Sequence, residues 1–122
     1  MAKIAVVEDN DAMREQLCGF IAQYARESGR QLDVTAFADG AEIVDPYRPG
    51  FDIIFLDIEM PTLGGMPTAE RIRQVDPDVV LVFVTNMAQY AIKGYEVDAL
   101  DYVLKPVSYG AFCTKLSRAI QR

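Results

Sequence analysis

Five polar residues lie at the ends of apolar runs of strand length, and their types suit phosphate chemistry. They are Glu8, Asp9, Asp57, Thr85 and Lys105. Carboxylates that crowd together repel one another and raise each other's pKa unless a cation neutralises them. A site built from oxygen ligands with room for water favours Mg²⁺. The three acids therefore predict a divalent metal site if the fold brings them together.

Thr85, Lys105 and Asp57 extend this prediction to phosphoryl transfer. A hydroxyl, an ammonium and a metal ion can together neutralise the three equatorial oxygens of a phosphoryl group in transfer. A carboxylate beside them can attack phosphorus in line and form a covalent acyl phosphate. The chemistry predicted for Asp57 is that of a phosphoryl acceptor.

Each of these residues also has an ordinary structural explanation. An acid pair such as Glu8 and Asp9 commonly caps the helix that follows it. Asp57 could be a turn residue, Thr85 a hydroxyl at a strand end and Lys105 a solvated surface charge. Their common placement at the ends of four strands favours a joint site.

Strands and helices alternate along the chain and set where these residues lie. Apolar runs predict strands over Ile4–Val7, Leu32–Phe37, Phe51–Leu56, Val79–Val84 and Leu100–Leu104. Apolar residues at helical spacing predict helices over Met13–Tyr24, Ala41–Tyr47, Met66–Val75, Met87–Gly94 and Tyr109–Ile120. Five such units with short connections predict a parallel, doubly wound α/β sheet covered on both faces. Ligands bind such sheets at the carboxyl ends of the strands, where the five polar residues lie.

Composition narrows the function further. The chain has 122 residues, of which 51% are hydrophobic, and a net charge of −6, so we expect one globular unit that does not bind nucleic acid by itself. No stretch resembles a signal peptide or a membrane span, which predicts a cytoplasmic protein without a membrane association. The absence of histidine from the sequence excludes Ser-His-Asp and Cys-His nucleophile systems.

Four segments resemble the receiver domains of two-component response regulators. They are Ile-Ala-Val-Val-Glu-Asp-Asn at 4–10, Phe-Leu-Asp-Ile-Glu-Met-Pro at 55–61, Val-Thr at 84–85 and Leu-Lys-Pro at 104–106. Their order and separations also match, and the resemblance spans essentially the whole chain. It implies that residues 1–122 form one receiver domain with a flavodoxin-like sheet, strand order 2-1-3-4-5, and five helices on two faces.

The resemblance also implies a role for each residue of the site. Asp57 would be phosphorylated, and Thr85 and Lys105 would bind the phosphoryl oxygens. The Mg²⁺ ligands would be Glu8, Asp9, Asp57 and the backbone carbonyl of Glu59. The domain would accept phosphate without being an enzyme in the ordinary sense, apart from slow autodephosphorylation.

A switch is implied at two of the strands. Thr85 would move toward the phosphoryl group, and Tyr102, three residues before the lysine, would turn inward. The ordinary alternative for Tyr102 is a strand aromatic that packs against its neighbours. The resemblance further implies a cis peptide bond before Pro106, which is chemically accessible because X-Pro bonds adopt the cis form at low cost.

The implied partners follow from the same resemblance. Without a histidine of its own, the chain would receive its phosphoryl group from a sensor histidine kinase, a phosphotransfer protein or a small acyl phosphate. Segments 83–87 and 95–106 resemble receivers of LytTR-type regulators, which implies a C-terminal DNA-binding output domain and control of transcription. The surface of the fourth helix, fifth strand and fifth helix would contact partners or a second copy through candidates Tyr90, Lys93, Tyr95, Asp101 and Tyr109.

Two departures and three alternatives accompany this interpretation. Asn86 replaces the small residue common after the threonine, and Gly64-Gly65-Met66 varies the end of the acceptor loop, which bears on rates. One alternative is a receiver that acts alone by protein contact or in a phosphorelay. Another is a Mg²⁺-dependent phosphatase with an aspartyl-phosphate intermediate, for which Asp57-Ile58-Glu59 lacks the second aspartate. A phosphate-independent interaction module would lack one of the acids, the threonine or the lysine, and none is missing.

Overall fold

The computed structural model describes residues 1–86 and 94–122 and contains one parallel sheet flanked by helices. The strands are β1 Ala2–Val7, β2 Leu32–Phe37, β3 Ile53–Asp57, β4 Val80–Thr85 and β5 Asp101–Leu104. The α-helices of these residues are α1 Asp11–Ser28, α2 Gly40–Val44, α3 Gly65–Val75 and α4 Tyr109–Gln121, and a 3-10 helix covers Gly94–Val97. The predicted helix over Met87–Gly94 falls outside the described residues, except for Gly94, at which the 3-10 helix begins.

All neighbouring strands pair in parallel, in the order β2-β1-β3-β4-β5. The predicted doubly wound, flavodoxin-like sheet is therefore confirmed. All five residues of β3 are buried, as expected for the central strand of a sheet covered on both faces. The chain reverses its winding direction between β1 and β3, and in such sheets the ligand site lies beside that point.

Two apolar layers cover the sheet, one on each face. Successive side chains of β3 alternate between them, so that Ile53 and Phe55 belong to one layer and Ile54 and Leu56 to the other. Helices α1 and α4 supply the first layer with its main contacts, and α2 and α3 supply the second. The burial of both layers fixes the strand ends, and therefore the site, in a rigid frame.

The helix ends show which polar residues have a capping role. The side chain of Asn10 accepts a hydrogen bond from the Met13 amide at 2.9 Å and caps α1. The cap of α1 is thus the residue after the acid pair, which leaves Glu8 and Asp9 available for another role. Helix α2 ends at Val44, earlier than the predicted Tyr47, because Asp45 precedes Pro46 and a residue before proline disfavours the helical conformation.

No helix within the described ranges 1–86 and 94–122 combines the length and the apolar character needed to cross a bilayer.

Candidate functional site

Asp57 lies at the centre of the candidate site, as the last residue of β3. Its side chain is buried, with the residue 6% exposed, and Glu8 beside it is 1% exposed. The ammonium of Lys105 bridges the two acids, with Nζ 2.7 Å from Glu8 Oε1 and 3.3 Å from Asp57 Oδ1. Residues from near the two ends of the sequence therefore meet in one ionic cluster.

The main chain around Glu8 is held in place by neighbouring elements. Its amide donates to the Phe37 carbonyl at the end of β2, at 3.0 Å, and its carbonyl accepts from Arg14 Nη1 of α1 at 2.9 Å. Glu8 Oε2 accepts a hydrogen bond from the Asn10 amide at 3.2 Å. These bonds aim the Glu8 carboxylate at Lys105 and Asp57 instead of at solvent.

Burial and charge shift the pKa values of Asp57 and Lys105 upward. Burial raises the pKa of Asp57 to about 7, the contact with Glu8 acts in the same direction, and the Lys105 ammonium opposes them. For Lys105, burial alone would lower the pKa, but the hydrogen bond to Glu8 and the charge of Asp57 outweigh it and raise the pKa. Two buried acids sharing one ammonium leave an excess of negative charge, which a further cation would neutralise.

The residues present fit such a cation. One carboxylate oxygen from each of Glu8, Asp9 and Asp57 lies within 4.8 Å of the others, and Asp9 is exposed while the other two are buried. An all-oxygen set with one open side suits Mg²⁺, which keeps several of its water ligands in proteins. The three acids singled out from the sequence are thus close enough together to share one ion.

Thr85 and Lys105 meet on adjacent strands at the same edge. Thr85 ends β4 and pairs with Leu104 of β5, and the Lys105 amide donates to the Thr85 carbonyl at 2.8 Å. Thr85 is buried, and the peptide bond between Lys105 and Pro106 is cis. This pairing holds the hydroxyl-bearing and ammonium-bearing residues next to each other.

Glu59 and Tyr102, the two other predicted site residues, lie in different surroundings. Glu59 is exposed and lines, together with Asp9, an open cavity of about 430 Å³ bounded also by 58 and 60–61. Tyr102 is half-buried on β5, and its ring packs at the edge of the layer beneath α2 and α3. The Lys115 Nζ atom lies 6.0 Å from the centre of the Tyr102 ring.

The residues predicted to contact a partner or a second copy of the chain lie in different environments. Asp101 is bound within the chain, because both of its oxygens accept from Lys115 Nζ, at 2.9 and 3.0 Å, and Arg118 Nη1 lies 3.0 Å away. Tyr109 donates its hydroxyl to Glu27 of α1 at 2.7 Å. Tyr95 is part of the 3-10 helix, and Asn86 is exposed directly after β4. The other two candidates, Tyr90 and Lys93, lie outside the described residues.

Gly65 is required by the geometry of the site, a role that the sequence interpretation did not assign. A Cβ atom at Gly65 would lie 2.2 Å from the Asp57 carbonyl oxygen, and the Gly65 amide donates to the Ile58 carbonyl at 2.8 Å. The start of α3 can therefore approach the end of β3 only if position 65 has no side chain. The signal that could have indicated this close approach is the Gly64-Gly65 pair at the end of the loop that follows Asp57.

A comparison with protein families identifies this arrangement. The family model of the response regulator receiver domain matches residues 4–117. The chain belongs to the response regulator receiver domain family. The predicted resemblance is confirmed by this match.

Two curated relatives are consistent with the predicted resemblance to receivers of LytTR-type regulators. The chain is 33% identical over 125 residues to the transcriptional regulatory protein BtsR of Escherichia coli K12, covering 99% of this chain and 49% of BtsR. It is 32% identical over 124 residues to the sensory transduction protein LytT of Oceanobacillus iheyensis, covering 94% of this chain and 46% of LytT. The chain thus spans about half the length of these relatives.

Solved receiver structures have the same fold. The non-phosphorylated HemR receiver domain from Leptospira biflexa superposes with a TM-score of 0.86 at 28% identity, over 100% of this chain and 96% of that one. The response regulator TrrA of Thermotoga maritima, in complex with Mg²⁺ and beryllium fluoride, gives 0.79 at 25% identity, over 98% and 99% of the two chains.

Proposed function

We propose that this receiver domain is the phospho-acceptor of a two-component system and that Asp57 is its acceptor residue. Phosphorylation would depend on Mg²⁺ and would change the surface that partners recognise. The observation that carries the proposal is the bridge of Lys105 between Glu8 and Asp57 at 2.7 and 3.3 Å, beside the open carboxylate of Asp9.

Glu8, Asp9 and Asp57, with the Glu59 carbonyl, are the residues that would hold the ion. When bound, Mg²⁺ supplies positive charge that offsets the negative charge of a phosphoryl group. The Asp57 carboxylate attacks phosphorus and forms an acyl phosphate, while the bond from phosphorus to the donor breaks and the donor takes the electron pair. Lys105 and Thr85 then bind phosphoryl oxygens through an ammonium and a hydroxyl.

These 122 residues contain no histidine that could form a phosphohistidine donor, so we propose that the phosphoryl group comes from another molecule. A sensor histidine kinase or a phosphotransfer protein would supply it. The related receiver TrrA was solved in complex with Mg²⁺ and beryllium fluoride, which supports the chemistry proposed for this site. We place the domain in the cytoplasm with such a donor.

The response would be carried by β5 and the helices beside it. A phosphoryl group adds a charge of roughly −1.5 to −2 beside Thr85 and Lys105. New bonds to that group would draw the Thr85 hydroxyl inward and make room for Tyr102 to turn from its half-buried position. The face that includes β5 and α4 would then bind an output domain or a second copy of the chain.

An output in transcription is proposed from the relatives. BtsR is named a transcriptional regulatory protein, and this chain matches only 49% of its length. A C-terminal DNA-binding domain would occupy the remaining length in a protein of that kind. The receiver itself, with a net charge of −6, would regulate that domain instead of binding nucleic acid.

The experiment is intact-mass spectrometry after exposure of the protein to acetyl phosphate, with Mg²⁺ or with EDTA. We expect one phosphoryl adduct in wild type with Mg²⁺, and none with EDTA or in Asp57→Asn. Asp33→Asn, which removes an exposed acid on β2, is the matched control and should be phosphorylated like wild type. An unmodified wild-type mass under conditions that modify a known receiver would overturn the proposal, and rapid turnover of phosphate esters would favour a phosphatase.

A further inference from the structure

Asp39 binds the loop after Asp57 through its buried carboxylate. The residue is 8% exposed and lies between β2 and α2. Its Oδ2 accepts from the Thr62 amide at 3.0 Å, and its Oδ1 accepts from the amides of Leu63 and Ala41, both at 2.9 Å. One carboxylate thus caps α2 and holds a loop 23 residues further along the chain.

The neighbouring contacts leave little freedom at this junction. A Cβ atom on Gly40 would lie 1.8 Å from Thr68 Oγ1 and 2.6 Å from the Leu63 carbonyl oxygen. Thr68 is fully buried and donates its hydroxyl to the Gly64 carbonyl at 2.8 Å. The turn that carries Asp39 therefore packs directly against the end of the loop between β3 and α3 and against the first turn of α3.

The short span 59–61 is held at both ends as a result. Its first end follows Ile58, whose carbonyl accepts from the Gly65 amide at 2.8 Å. Its second end precedes Thr62, which is bound to Asp39. Residues 59–61 between these anchors line, together with Asp9, the same open cavity.

We propose that Asp39 is a positioning residue for the metal and phosphoryl site, acting through the main chain of residues 59–63. Its carboxylate fixes the distance between the 59–61 main chain and Asp9, so that the Glu59 carbonyl can share an ion with the three acids. This inference rests on the proposed function of Asp57, and it assigns to the β2–α2 turn a role that the acidic cluster alone does not reveal.

The ionised carboxylate is required for this role. Three amide N–H groups point at Asp39, and a neutral acid or an amide group would place a donor against one of them. Burial acts to raise the pKa of Asp39, but the hydrogen bonds from the amides of Ala41, Thr62 and Leu63 outweigh burial and hold the pKa below its usual value.

The test compares Asp39→Asn with Asp76→Asn in the same chain. Asp76 is also a carboxylate with two structural hydrogen bonds, from the Tyr47 hydroxyl at 2.7 Å and the Val79 amide at 3.3 Å, but it lies at the opposite end of α3. Mg²⁺ affinity is measured by calorimetry, and amide hydrogen exchange of residues 58–63 is measured in EDTA. Phosphorylation rates are then compared at saturating Mg²⁺.

We expect Asp39→Asn to weaken Mg²⁺ binding by about 10-fold, the usual size of an effect exerted through the surroundings of a metal ligand. Exchange at 58–63 should rise in EDTA, and much of the lost phosphorylation rate should return at high Mg²⁺. Asp76→Asn should leave Mg²⁺ affinity within about 2-fold of wild type even if it destabilises the fold equally. Equal Mg²⁺ affinity and unchanged loop exchange in Asp39→Asn would overturn the inference.

A second variant covers the case in which Asp39→Asn does not fold. Asp39→Ser keeps a hydroxyl that can cap α2 but is too short to hold Thr62 and Leu63, so the same loss of Mg²⁺ affinity is expected. The result for the wild-type protein distinguishes failure of the positioning role of Asp39 from failure of the proposed phosphorylation of Asp57. If wild type forms the adduct on Asp57 and these variants bind Mg²⁺ normally, only the positioning role fails, whereas a wild type without metal-dependent adduct contradicts the proposed function itself.

Discussion

At the scale of single residues, the site buries more negative charge than the ammonium of Lys105 neutralises. Glu8 and Asp57 are buried, and Lys105 contacts both. Transfer of a charge from water to the protein interior costs free energy. This cost is recovered only when the buried charge is fully paired. The arrangement therefore favours binding of a cation over stability of the ion-free fold.

The first prediction concerns the stability of Asp57→Asn. In EDTA at pH 8, we expect this variant to raise the free energy of unfolding by about 1 kcal/mol or more, because it removes one of two buried like charges. Urea unfolding followed by circular dichroism measures the difference. The control Asp33→Asn removes an exposed charge and should change stability by less than about 0.5 kcal/mol. A destabilised Asp57→Asn would contradict the excess of buried charge.

The second prediction concerns the pH dependence of the stabilisation by Asp39. Its pKa is lowered in the folded chain, whereas an aspartate in the unfolded chain has a pKa of about 3.9. Above that pH the carboxylate is ionised in both states and its stabilisation is fully present. As pH falls through the lowered folded pKa, the stabilisation is lost.

Urea unfolding of wild type and Asp39→Asn between pH 7 and pH 3 tests this. The difference in free energy of unfolding should stay constant down to about pH 4 and shrink below it. Glu42, whose carboxylate accepts from the Ala38 amide at 3.1 Å, is present in both proteins and cancels from the comparison. A difference that grows on acidification would show that the ionised form of Asp39 is not the stabilising one.

At the scale of elements, local patterns predict the strands well because each is a short apolar run with polar ends. The alternation in Leu32–Phe37 predicts β2 at its observed bounds. The predicted strand over Phe51–Leu56 is shifted, because the paired segment begins at Ile53 and extends to Asp57, which pairs with Val84. Asp57, the proposed acceptor, is thus the last residue of the strand instead of the first residue of the loop.

The contacts between loops could not be predicted from such patterns. The sequence around Asp39 indicates only a helix start, since nothing local shows that its carboxylate also binds Thr62 and Leu63. The close approach of Gly65 to the Asp57 carbonyl likewise depends on how α3 packs. The site residues were predictable because strand ends converge by topology, whereas the supporting bonds depend on tertiary packing.

The third prediction, at the scale of elements, is that Gly65→Ala displaces the start of α3. The added methyl group would contact the Asp57 carbonyl at a forbidden distance, so the backbone must shift. We expect a loss of about 1–3 kcal/mol in the free energy of unfolding and slower phosphorylation from acetyl phosphate.

Gly19→Ala is the matched control for that change. Gly19 lies inside α1, and a Cβ atom there meets nothing within 4 Å, so alanine should stabilise the helix by about 0.5–1 kcal/mol. Its phosphorylation rate should equal that of wild type. If both glycine variants behaved alike, the close approach at Gly65 would have no influence on the site.

At the scale of the whole molecule, α4 connects the site to the surface. Lys105 directly follows β5 and precedes α4 in the sequence, so a movement of its main chain on phosphorylation would reach both elements. At the start of α4, the Tyr109 hydroxyl donates a hydrogen bond to Glu27 of α1. In the middle of α4, the Lys115 ammonium donates a hydrogen bond to Asp101 of β5. Under the proposed function, these contacts would transmit a small shift at the site to a face that a partner recognises.

The fourth prediction is that activation produces a dimer through the face that includes β5 and α4. Beryllium fluoride with Mg²⁺ should raise the weight-average mass in sedimentation velocity as protein concentration increases, and Asp57→Asn should remain a monomer under the same conditions. Arg118 is suited to test the face, because its side chain is 61% exposed and it shares Asp101 with Lys115. Since Lys115 still neutralises Asp101, Arg118→Ala should weaken the dimer while changing monomer stability by less than about 0.5 kcal/mol.

Salt provides an independent check of that interface. Contacts between exposed charges weaken as the Debye length falls from about 10 Å at 0.1 M salt to about 3 Å at 1 M. An interface that depends on Arg118 should therefore dissociate at high salt, whereas one formed by apolar contacts would persist. A wild-type protein that stays monomeric with beryllium fluoride at every concentration would contradict the dimer prediction, but it would leave the proposed phosphorylation of Asp57 untouched.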